Sequence, residues 1–117
     1  MIRLNPHADW NRTHYQLIDT ETRDYIGRCM IKYGTYNGNR VLELWSVLIF
    51  DKFQKQGYGT LMLKRIIKKY KKNELPLVLY VYKTNKIAIR LYEKLGFQII
   101  GEYTEAYDPA WAMQYSK

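Results

Sequence analysis

The sequence predicts an α/β fold in which helices flank a mixed β-sheet. Strand-like segments rich in apolar and aromatic residues alternate with two amphipathic helix patterns in the second half of the chain. The first helix pattern connects two apolar strands, and such a connection normally forms a right-handed crossover between parallel strands. An Asn-Gly pair between two earlier strands predicts an antiparallel hairpin. The sheet should therefore contain both kinds of pairing.

The N-terminal part of the chain is predicted to contain strands joined by turns. Residues 1–13 show no clear period and are expected to form an irregular arm or a short strand. Strands are predicted at His14–Thr20 and Tyr25–Tyr33. The segment Gly34–Asn39 has the composition of a turn. It leads into Arg40–Phe50, whose nearly continuous apolar character is typical of a central strand that is covered on both faces.

Two helices and three strands are predicted after this central strand. Apolar residues recur at helical spacing in both helices, as Leu63, Ile66, Ile67 and Tyr70 in the first and as Ile87, Ala88, Leu91 and Leu95 in the second. Gly96 is suited to a left-handed C-cap. The predicted elements are the helix Tyr58–Lys71, the strand Leu77–Tyr82, the helix Lys86–Leu95 and the strands Phe97–Tyr103 and Trp111–Tyr115.

Length and composition indicate the class of protein. A chain of 117 residues with 47% hydrophobic residues is expected to form one globular domain, residues 1–117. The single Cys29 excludes an internal disulfide and a cysteine-rich metal site, and no other metal site is predicted. No apolar run is long enough to span a membrane, and the first residues lack the apolar segment of a secretory signal. We therefore expect a cytoplasmic protein.

The chain is strongly basic, with a formal net charge of +8. A solvated helix face is one interpretation of such a charge. The other is a surface that attracts a polyanion, such as a phosphorylated cofactor, nucleic acid or an acidic protein. Much of the charge lies on and after the first predicted helix, at Lys64, Arg65, Lys68, Lys69, Lys71 and Lys72.

A glycine-rich turn, Gln54–Thr60, lies between the central strand and the first helix. Gly57 and Gly59 have no Cβ, so an anion can approach the main chain closely. The following helix presents free N–H groups and the positive end of its dipole, and Lys55 adds a charge. These features predict an anion site of pyrophosphate type. The spacing fits neither a P-loop nor a three-glycine dinucleotide motif, and a plain strand–turn–helix connection is the alternative.

Two separated motifs carry a family resemblance. The first is Gln54-x-x-Gly57-x-Gly59, and the second is Asn85-x-x-Ala88-x-x-x-Tyr92, which continues to Gly96-Phe97. In this order, with a strand between them, they resemble the [Arg/Gln]-x-x-Gly-x-[Gly/Ala] and N-x-x-A-x-x-x-Y-x-x-x-G-F segments of the Gcn5-related N-acetyltransferases (GNAT), which use acetyl-coenzyme A (acetyl-CoA). The resemblance covers about residues 25–115 and implies a GNAT-like mixed sheet.

The sequence departs from the family in its N-terminal part. Members usually have one or two helices between their first two strands, and those helices help to wall the acceptor site. The interval assigned here to that connection, about Thr20–Tyr25, is too short for them. The resemblance therefore implies an intact cofactor half, reduced N-terminal helices and a reduced acceptor half.

The resemblance also implies where acetyl-CoA would bind. Amides of the glycine-rich turn would hold the coenzyme pyrophosphate, in agreement with the predicted anion site. Main-chain groups of the central strand would pair with the pantetheine arm, and an amide near Val47 or Leu48 would stabilise the oxyanion of the tetrahedral intermediate. The cofactor-binding residues so implied are Val47, Leu48, Ile49, Gln54, Lys55, Gln56, Gly57, Tyr58, Gly59, Thr60, Asn85 and Tyr92.

Asn85 and Tyr92 each have two interpretations. By resemblance, Asn85 would hydrogen-bond the pantetheine arm, whereas by helix chemistry it would be an N-cap. Tyr92 would protonate the departing thiolate as the general acid, since the pKa of a phenol, ~10, lies modestly above that of a thiol, ~8.5. The alternative for Tyr92 is an aromatic ring that packs on the sheet.

Glu43 is the candidate general base for an amine nucleophile. It lies fourteen residues before Gly57, and by resemblance this is the register of the catalytic glutamate in histone-type members of the family. The alternative is an edge-facing surface glutamate in a hairpin strand. A water chain, Glu102 or Glu105 could serve as the base instead.

Taken together, the motifs and the resemblance imply an acyltransferase. It would be an acetyl-CoA-dependent N-acetyltransferase whose acceptor is a small-molecule amine, a protein lysine or N-terminus, or an aminoacyl-tRNA, attacked directly and without a covalent enzyme intermediate. The alternative is a basic binding module on the same fold that retains the coenzyme site with little or no turnover. A macromolecular acidic partner or nucleic acid fits the charge. We expect no membrane partner and a monomer or homodimer.

Overall fold

The computed structural model describes residues 1–116, which form seven β-strands and two α-helices. A short 3-10 turn, Asp51–Phe53, precedes the first helix. The elements are β1 (Ile2–Ala8), β2 (Arg12–Asp19), β3 (Tyr25–Tyr36), β4 (Asn39–Ile49), α1 (Tyr58–Tyr70), β5 (Leu77–Tyr82), α2 (Lys86–Leu95), β6 (Phe97–Tyr103) and β7 (Ala110–Tyr115).

All seven strands belong to one mixed sheet in the order β1-β2-β3-β4-β5-β7-β6. The first four strands pair antiparallel in sequence, and β7 pairs antiparallel with both β5 and β6. The pair of β4 and β5 is parallel, as expected for strands joined through a helix. The predicted mixed sheet flanked by helices is confirmed.

The prediction for residues 1–13 as an irregular arm or short strand is wrong in part. Strand β1 pairs along its whole length with β2, which begins at Arg12 rather than His14. The local sequence shows no period because β1 is an edge strand whose side chains are all exposed or half-buried, and Pro6 is tolerated there. The connection between the first two strands is therefore Asp9–Asn11, and not the interval Thr20–Tyr25, which joins β2 to β3. Neither connection contains a helix.

The turn predicted over Gly34–Asn39 is shorter than expected. Strand β3 continues to Tyr36 and β4 begins at Asn39, so only Asn37 and Gly38 form the turn. Both have positive φ, 50° and 81°, as the two central residues of a type I′ hairpin require. The hairpin was correctly predicted, and its strands extend further than the local composition indicated.

Both helices pack on one face of the sheet. The core contains Met62, Leu63, Ile66 and Ile67 of α1 together with strand residues such as Leu44 and Leu79. The buried residue of α2 is Ile89, whereas Ile87, which was assigned to the apolar stripe of this helix, is 84% exposed. Within residues 1–116 no helix is long and apolar enough to cross a membrane.

The opposite face of the sheet, called here the uncovered face, is shielded by side chains of the strands themselves. Alternation along the strands places Glu43, Trp45 and Tyr80 on this face, because their neighbours Leu44 and Leu79 point to the helices. Tyr103 stacks on Tyr80 with ring centroids 3.8 Å apart and an interplanar angle of 18°. An aromatic layer thus takes the place of a helical layer.

Candidate active site

Strands β4 and β5 separate soon after they begin to pair. Their parallel register covers only Leu42–Leu44 against Leu77–Leu79. Strand β5 then continues beside β7, so the edge of β4 that faces β5 has no strand partner from Trp45 onward. A cavity of about 290 Å³, called here the splay cavity, lies between the two strands. It is lined by side chains of both strands, of α2 and of the segment that joins β6 to β7.

A β-bulge in β4 contributes residues to the lining of the splay cavity. The register with β3 places Arg28 opposite Leu48 and Met30 opposite Trp45, so Ser46 and Val47 together oppose a single residue. Ser46 has a φ of +57°, a conformation that non-glycine residues seldom adopt outside functional or tightly constrained positions. No composition signal marks such a serine, and sequence reasoning missed it.

The glycine-rich turn forms a second groove that adjoins the splay cavity. This loop groove has a volume of about 430 Å³, and Val47 lines both it and the splay cavity. Ile87 and Leu91 of α2 line it as well, which explains why Ile87 is apolar and exposed. The groove brings together the predicted residues Val47, Leu48, Ile49, Gln54, Lys55, Gly57, Tyr58 and Gly59.

The predicted residues Gln56 and Thr60 do not line the loop groove. The side-chain amide of Gln56 donates instead to the carbonyl of Lys52 at 3.3 Å. The side chain of Gln54 is also used within the protein, since its Nε2 donates to the carbonyl of Ile49 at 2.9 Å and to Asp51 Oδ1 at 3.2 Å. Gln54 therefore shapes the turn through its side chain.

Helix α1 begins without a side-chain cap. Its N-cap is Gly57, whose φ of +87° is left-handed, and no side chain accepts a hydrogen bond from the first turn. Leu61 is the first residue whose N–H bonds back into the helix, to the carbonyl of Gly57 at 3.0 Å. The N–H groups before it are left for another acceptor, and the helix dipole favours an anion there. This geometry agrees with the predicted anion site.

Asn85 caps α2 and also lines the splay cavity. Its Oδ1 accepts a hydrogen bond from the N–H of Ala88 at 3.2 Å, which confirms the N-cap interpretation. The side-chain Nδ2 of Asn85 is a donor that the cap does not use. The cap and the predicted contact with the coenzyme are therefore compatible in one residue.

Tyr92 lies in the wall of the splay cavity. Its ring packs edge-to-face on Phe97, with centroids 6.0 Å apart, so the packing interpretation holds for the ring. Burial raises the pKa of the Tyr92 hydroxyl above its ordinary value. The phenol consequently stays protonated at neutral pH, as a proton donor must.

Glu43 is the one charged side chain within residues 1–116 that is buried, with 6% of its surface exposed. The interpretation as an edge-facing surface residue is therefore wrong. Its Oε1 accepts a hydrogen bond from Trp45 Nε1 at 2.8 Å, and its Oε2 accepts one from the Tyr80 hydroxyl at 2.7 Å. Glu43 does not line the splay cavity, whereas Trp45 and Tyr80 do.

The other candidate bases, Glu102 and Glu105, are exposed. Glu102 pairs with Lys83 at 2.8 Å, and Lys83 lies over the ring of Trp111. Within residues 1–116 no group of three or more His, Cys, Asp and Glu side chains could hold a metal ion. Among these three glutamates, Glu43 is the one that hydrogen-bonds to two residues of the cavity wall, Trp45 and Tyr80.

Comparisons with known proteins identify the family and the fold of the chain. A family model described as the acetyltransferase (GNAT) family matches residues 2–97. No curated protein sequence matches the chain. A Bacillus subtilis acetyltransferase solved in complex with CoA superposes with a TM-score of 0.80 at 13% identity, over 100% of this chain and 99% of that one.

Two further solved structures share the fold. A spermidine N-acetyltransferase from Vibrio cholerae, in complex with CoA and spermine, has a TM-score of 0.75 at 23% identity, over 93% of this chain and 69% of that one. Arabidopsis thaliana NAA60 in complex with acetyl-CoA has a TM-score of 0.71 at 14% identity, over 92% and 77%. Since the family model covers most of the sequence, the chain belongs to the GNAT acetyltransferase family.

Proposed function

We propose that the protein transfers the acetyl group of acetyl-CoA to an amine by direct attack of that amine. The observation that carries this proposal is the splay cavity. Asn85, Tyr92 and the bulged segment of β4 meet there, between the loop groove on one side and the uncovered face on the other. In this proposal, the coenzyme would approach along the loop groove and the amine from the uncovered face.

The residues present fit a coenzyme A molecule. The uncapped first turn of α1 and the left-handed Gly57 leave main-chain donors for a pyrophosphate. The loop groove that adjoins them is mostly apolar and leads past Val47 into the splay cavity, which suits a long pantetheine arm. The free edge of β4 supplies main-chain groups along that path.

Each residue of the splay cavity has a defined task in this proposal. The thioester supplies the activated acetyl group. The N–H of Val47 or Leu48 would donate a hydrogen bond to the carbonyl oxygen and stabilise the negative charge that develops on it. Asn85 Nδ2 would donate to the pantetheine arm, and the hydroxyl of Tyr92 would give its proton to the leaving sulfur.

The acceptor would enter from the uncovered face. The connection Asp9–Asn11 contributes no helix there, so the acceptor side is open to a small amine or to part of a macromolecule. Suitable acceptors are a small-molecule amine, a protein lysine or N-terminus, and an aminoacyl-tRNA amine. The second candidate function, a basic binding module that retains the coenzyme site, is favoured by this open face together with the net charge of +8.

Two measurements test the proposal. Thermal unfolding is followed with acetyl-CoA, with CoA and with ATP. A ligand at one hundred times its dissociation constant adds about 2.7 kcal/mol to the free energy of unfolding, which for a domain of this size is a Tm shift of roughly 10 °C or more. We expect this shift with acetyl-CoA and CoA. An equal Tm shift with ATP would show that the site binds anions in general and is not specific for the coenzyme.

Release of CoA is then measured with a panel of amines. The panel contains phenethylamine, spermine, a lysine-containing peptide, a peptide with a free N-terminus and an aminoacyl-tRNA. Turnover with any of them that requires Tyr92 supports the enzyme. A coenzyme-dependent Tm shift without turnover across the whole panel would favour the binding module.

A further inference from the structure

The hydroxyl of Tyr80 lies between the splay cavity and the buried carboxylate of Glu43. Tyr80 lines the cavity, and its hydroxyl donates to Glu43 Oε2 at 2.7 Å. Glu43 itself is 6% exposed and does not line the cavity. A proton that leaves an acceptor in the cavity therefore has no direct route to the carboxylate.

Among residues 1–116, two side chains that line the cavity donate a hydrogen bond to Glu43, and they differ in chemistry. Trp45 reaches Glu43 through its indole N–H, which can donate a hydrogen bond and cannot accept one. The Tyr80 hydroxyl donates to Glu43 and keeps oxygen lone pairs with which it can accept from an amine. Of the two contacts, only the Tyr80 hydroxyl can pass a proton onward.

We propose that Tyr80 is the catalytic residue that takes a proton from the acceptor ammonium while it passes its own hydroxyl proton to Glu43. The proposal rests on the acetyltransferase function proposed above and adds the path by which the nucleophile is activated. Glu43 acts through Tyr80 and is a positioning residue and proton store.

The transfer balances in protons and charge. One N–H bond of the ammonium breaks, and an O–H bond forms at the Tyr80 oxygen. The original O–H bond of Tyr80 breaks, and an O–H bond forms at Glu43 Oε2. The ammonium and the carboxylate both become neutral, and the free amine attacks the thioester. The C–S bond then breaks, the sulfur takes the Tyr92 proton, and the second proton that the nitrogen loses as the amide forms restores the Tyr92 hydroxyl. After the product leaves, the proton returns from Glu43 through Tyr80 to solvent.

Tyr80 is suited to relay a proton and not to act alone as a base. Burial, and then the hydrogen bond to Glu43, raise the pKa of the Tyr80 hydroxyl far above its ordinary value. The phenolate is consequently absent at neutral pH, and the hydroxyl can accept a proton only if it gives one up in the same event. The hydrogen bond to Glu43 provides that exit.

Several other polar groups surround Tyr80 and belong to the same electrostatic environment. The Tyr36 hydroxyl is tied to the carbonyl of Glu102 at 2.9 Å, and Lys32 lies 5.1 Å from the ring of Trp45. The titratable or charged groups that face Tyr80 or the aromatic rings around it are Glu43, Tyr36, Tyr103, Glu105 and Lys32.

The test compares Tyr80→Phe with the matched control Tyr103→Phe. Each variant removes one hydroxyl from the same stacked ring pair, and only the first removes the contact with Glu43. With phenethylamine as acceptor, kcat/KM of the wild type should rise with pH and reach a plateau well below the pKa of the amine. In Tyr80→Phe only the free amine reacts, so kcat/KM should keep rising about tenfold per pH unit towards that pKa. Tyr103→Phe should keep the wild-type profile, whatever its effect on the rate.

An acceptor that is already neutral should rescue the variant. The analogue β,β-difluorophenethylamine carries two fluorine atoms on the carbon beside the one that bears the amino group. These fluorine atoms lower the pKa of the amine, so this analogue needs no deprotonation at pH 7. We expect Tyr80→Phe to lose about a hundredfold in kcat/KM with phenethylamine, the lower range for general acid–base catalysis, and little with the fluorinated analogue. A structural defect would lower the rate with both amines alike.

Glu43→Gln provides a second, independent variant. Its amide can still accept from Trp45 and cannot take a proton from Tyr80, so it should show the same pH profile and the same rescue. The double variant should be no worse than either single one. The relay would be overturned if kcat/KM fell equally with both amines, or if Tyr80→Phe and Glu43→Gln both kept the wild-type pH profile. Turnover by the wild type would still support the acetyltransferase function in that case. No wild-type turnover with any amine of the panel would overturn both proposals.

Discussion

The carboxylate of Glu43 lies directly against Gly34 of the neighbouring strand. A Cβ at position 34 would stand 2.5 Å from Glu43 Oε2 and 2.6 Å from Oε1, closer than real Cβ contacts allow. Because Gly34 is in a strand and its φ is not positive, the glycine is needed here for space. Trp45 and Tyr80 therefore hold the buried carboxylate by hydrogen bonds, and the absence of a side chain at Gly34 leaves the space that it occupies.

Gly34→Ala should displace this carboxylate and break its hydrogen bonds. Leaving a buried charged group without its partners costs about 1–3 kcal/mol or more in the free energy of unfolding, which urea denaturation measures. In a Glu43→Ala background the same change should cost much less, because the space is then free. Equal costs in the two backgrounds would show that the Glu43 carboxylate is not the cause.

The two glycines at the start of α1 should respond in opposite directions to alanine. Gly57 has a φ of +87°, so Gly57→Ala should lower the free energy of unfolding by about 1 kcal/mol and weaken coenzyme binding. Gly59 lies within the helix, and a Cβ there would meet Ile49 at an ordinary 3.7 Å. Gly59→Ala should therefore stabilise the protein by about 0.5–1 kcal/mol. Urea denaturation and CoA titration distinguish the pair, and a similar effect at both positions would contradict this assignment.

Two substitutions separate the roles of Asn85. Asn85→Asp keeps an oxygen that can cap Ala88 and removes the amide donor, so stability should be preserved while the dissociation constant for acetyl-CoA rises. Asn85→Ala removes both and should also lower the free energy of unfolding by about 1 kcal/mol. Calorimetric titration and thermal unfolding measure the two effects. Unchanged acetyl-CoA affinity in Asn85→Asp would leave the residue as a cap alone.

Tyr92→Phe should lower kcat while coenzyme affinity is retained. The ring and its contact with Phe97 remain, and only the proton donor is lost, for which a decrease of about a hundredfold is typical. Burial raises the pKa of Tyr92, so in the wild type the donor stays protonated up to and beyond its ordinary pKa of about 10. Any loss of activity caused by ionisation of this donor should therefore appear only above that pH. A wild-type kcat in Tyr92→Phe would exclude the role.

Cys29 should be inert in the folded protein. It is 2% exposed, and burial raises the pKa of its thiol to about 12. Because the folded pKa is the higher one, its contribution to stability is complete below the unfolded value of about 8.5 and is lost as pH rises towards the folded value. A thiol-reactive disulfide reagent should label Cys29 only after unfolding in guanidinium. Equally fast labelling without denaturant would contradict the burial.

Sequence patterns predicted the second half of the chain well. The bounds of β5, α2 and β6 agree with the prediction, and those of α1 differ by one residue, because glycine and proline mark their ends and apolar stripes mark most of their faces. The pair β1–β2 was predicted less well, since an edge strand shows little periodicity of its own. Most of the residues that line the loop groove were named in advance from the glycine-rich turn together with the family motifs.

The contacts around the proposed acceptor side could not be predicted from the sequence. Tyr80 is one of twelve tyrosines, and its link to Glu43 joins residues 37 positions apart in the chain. The left-handed Ser46 and the space over Gly34 likewise depend on which strands become neighbours. Local patterns identify elements, whereas these contacts follow from the register between strands.

The three-residue connection Asp9–Asn11 is a suitable place to insert additional residues into the protein. Its central residue, Trp10, is 94% exposed, so added segments at this point would displace nothing from the core. The connection lies at the outer end of the sheet, remote in sequence from the loop groove and from α2. We expect a helical hairpin or a short binding motif inserted here to leave the loop groove and α2 unchanged, so that its effect on the proposed acceptor selectivity can be measured separately. New specificities could thus be screened by varying one surface insertion alone.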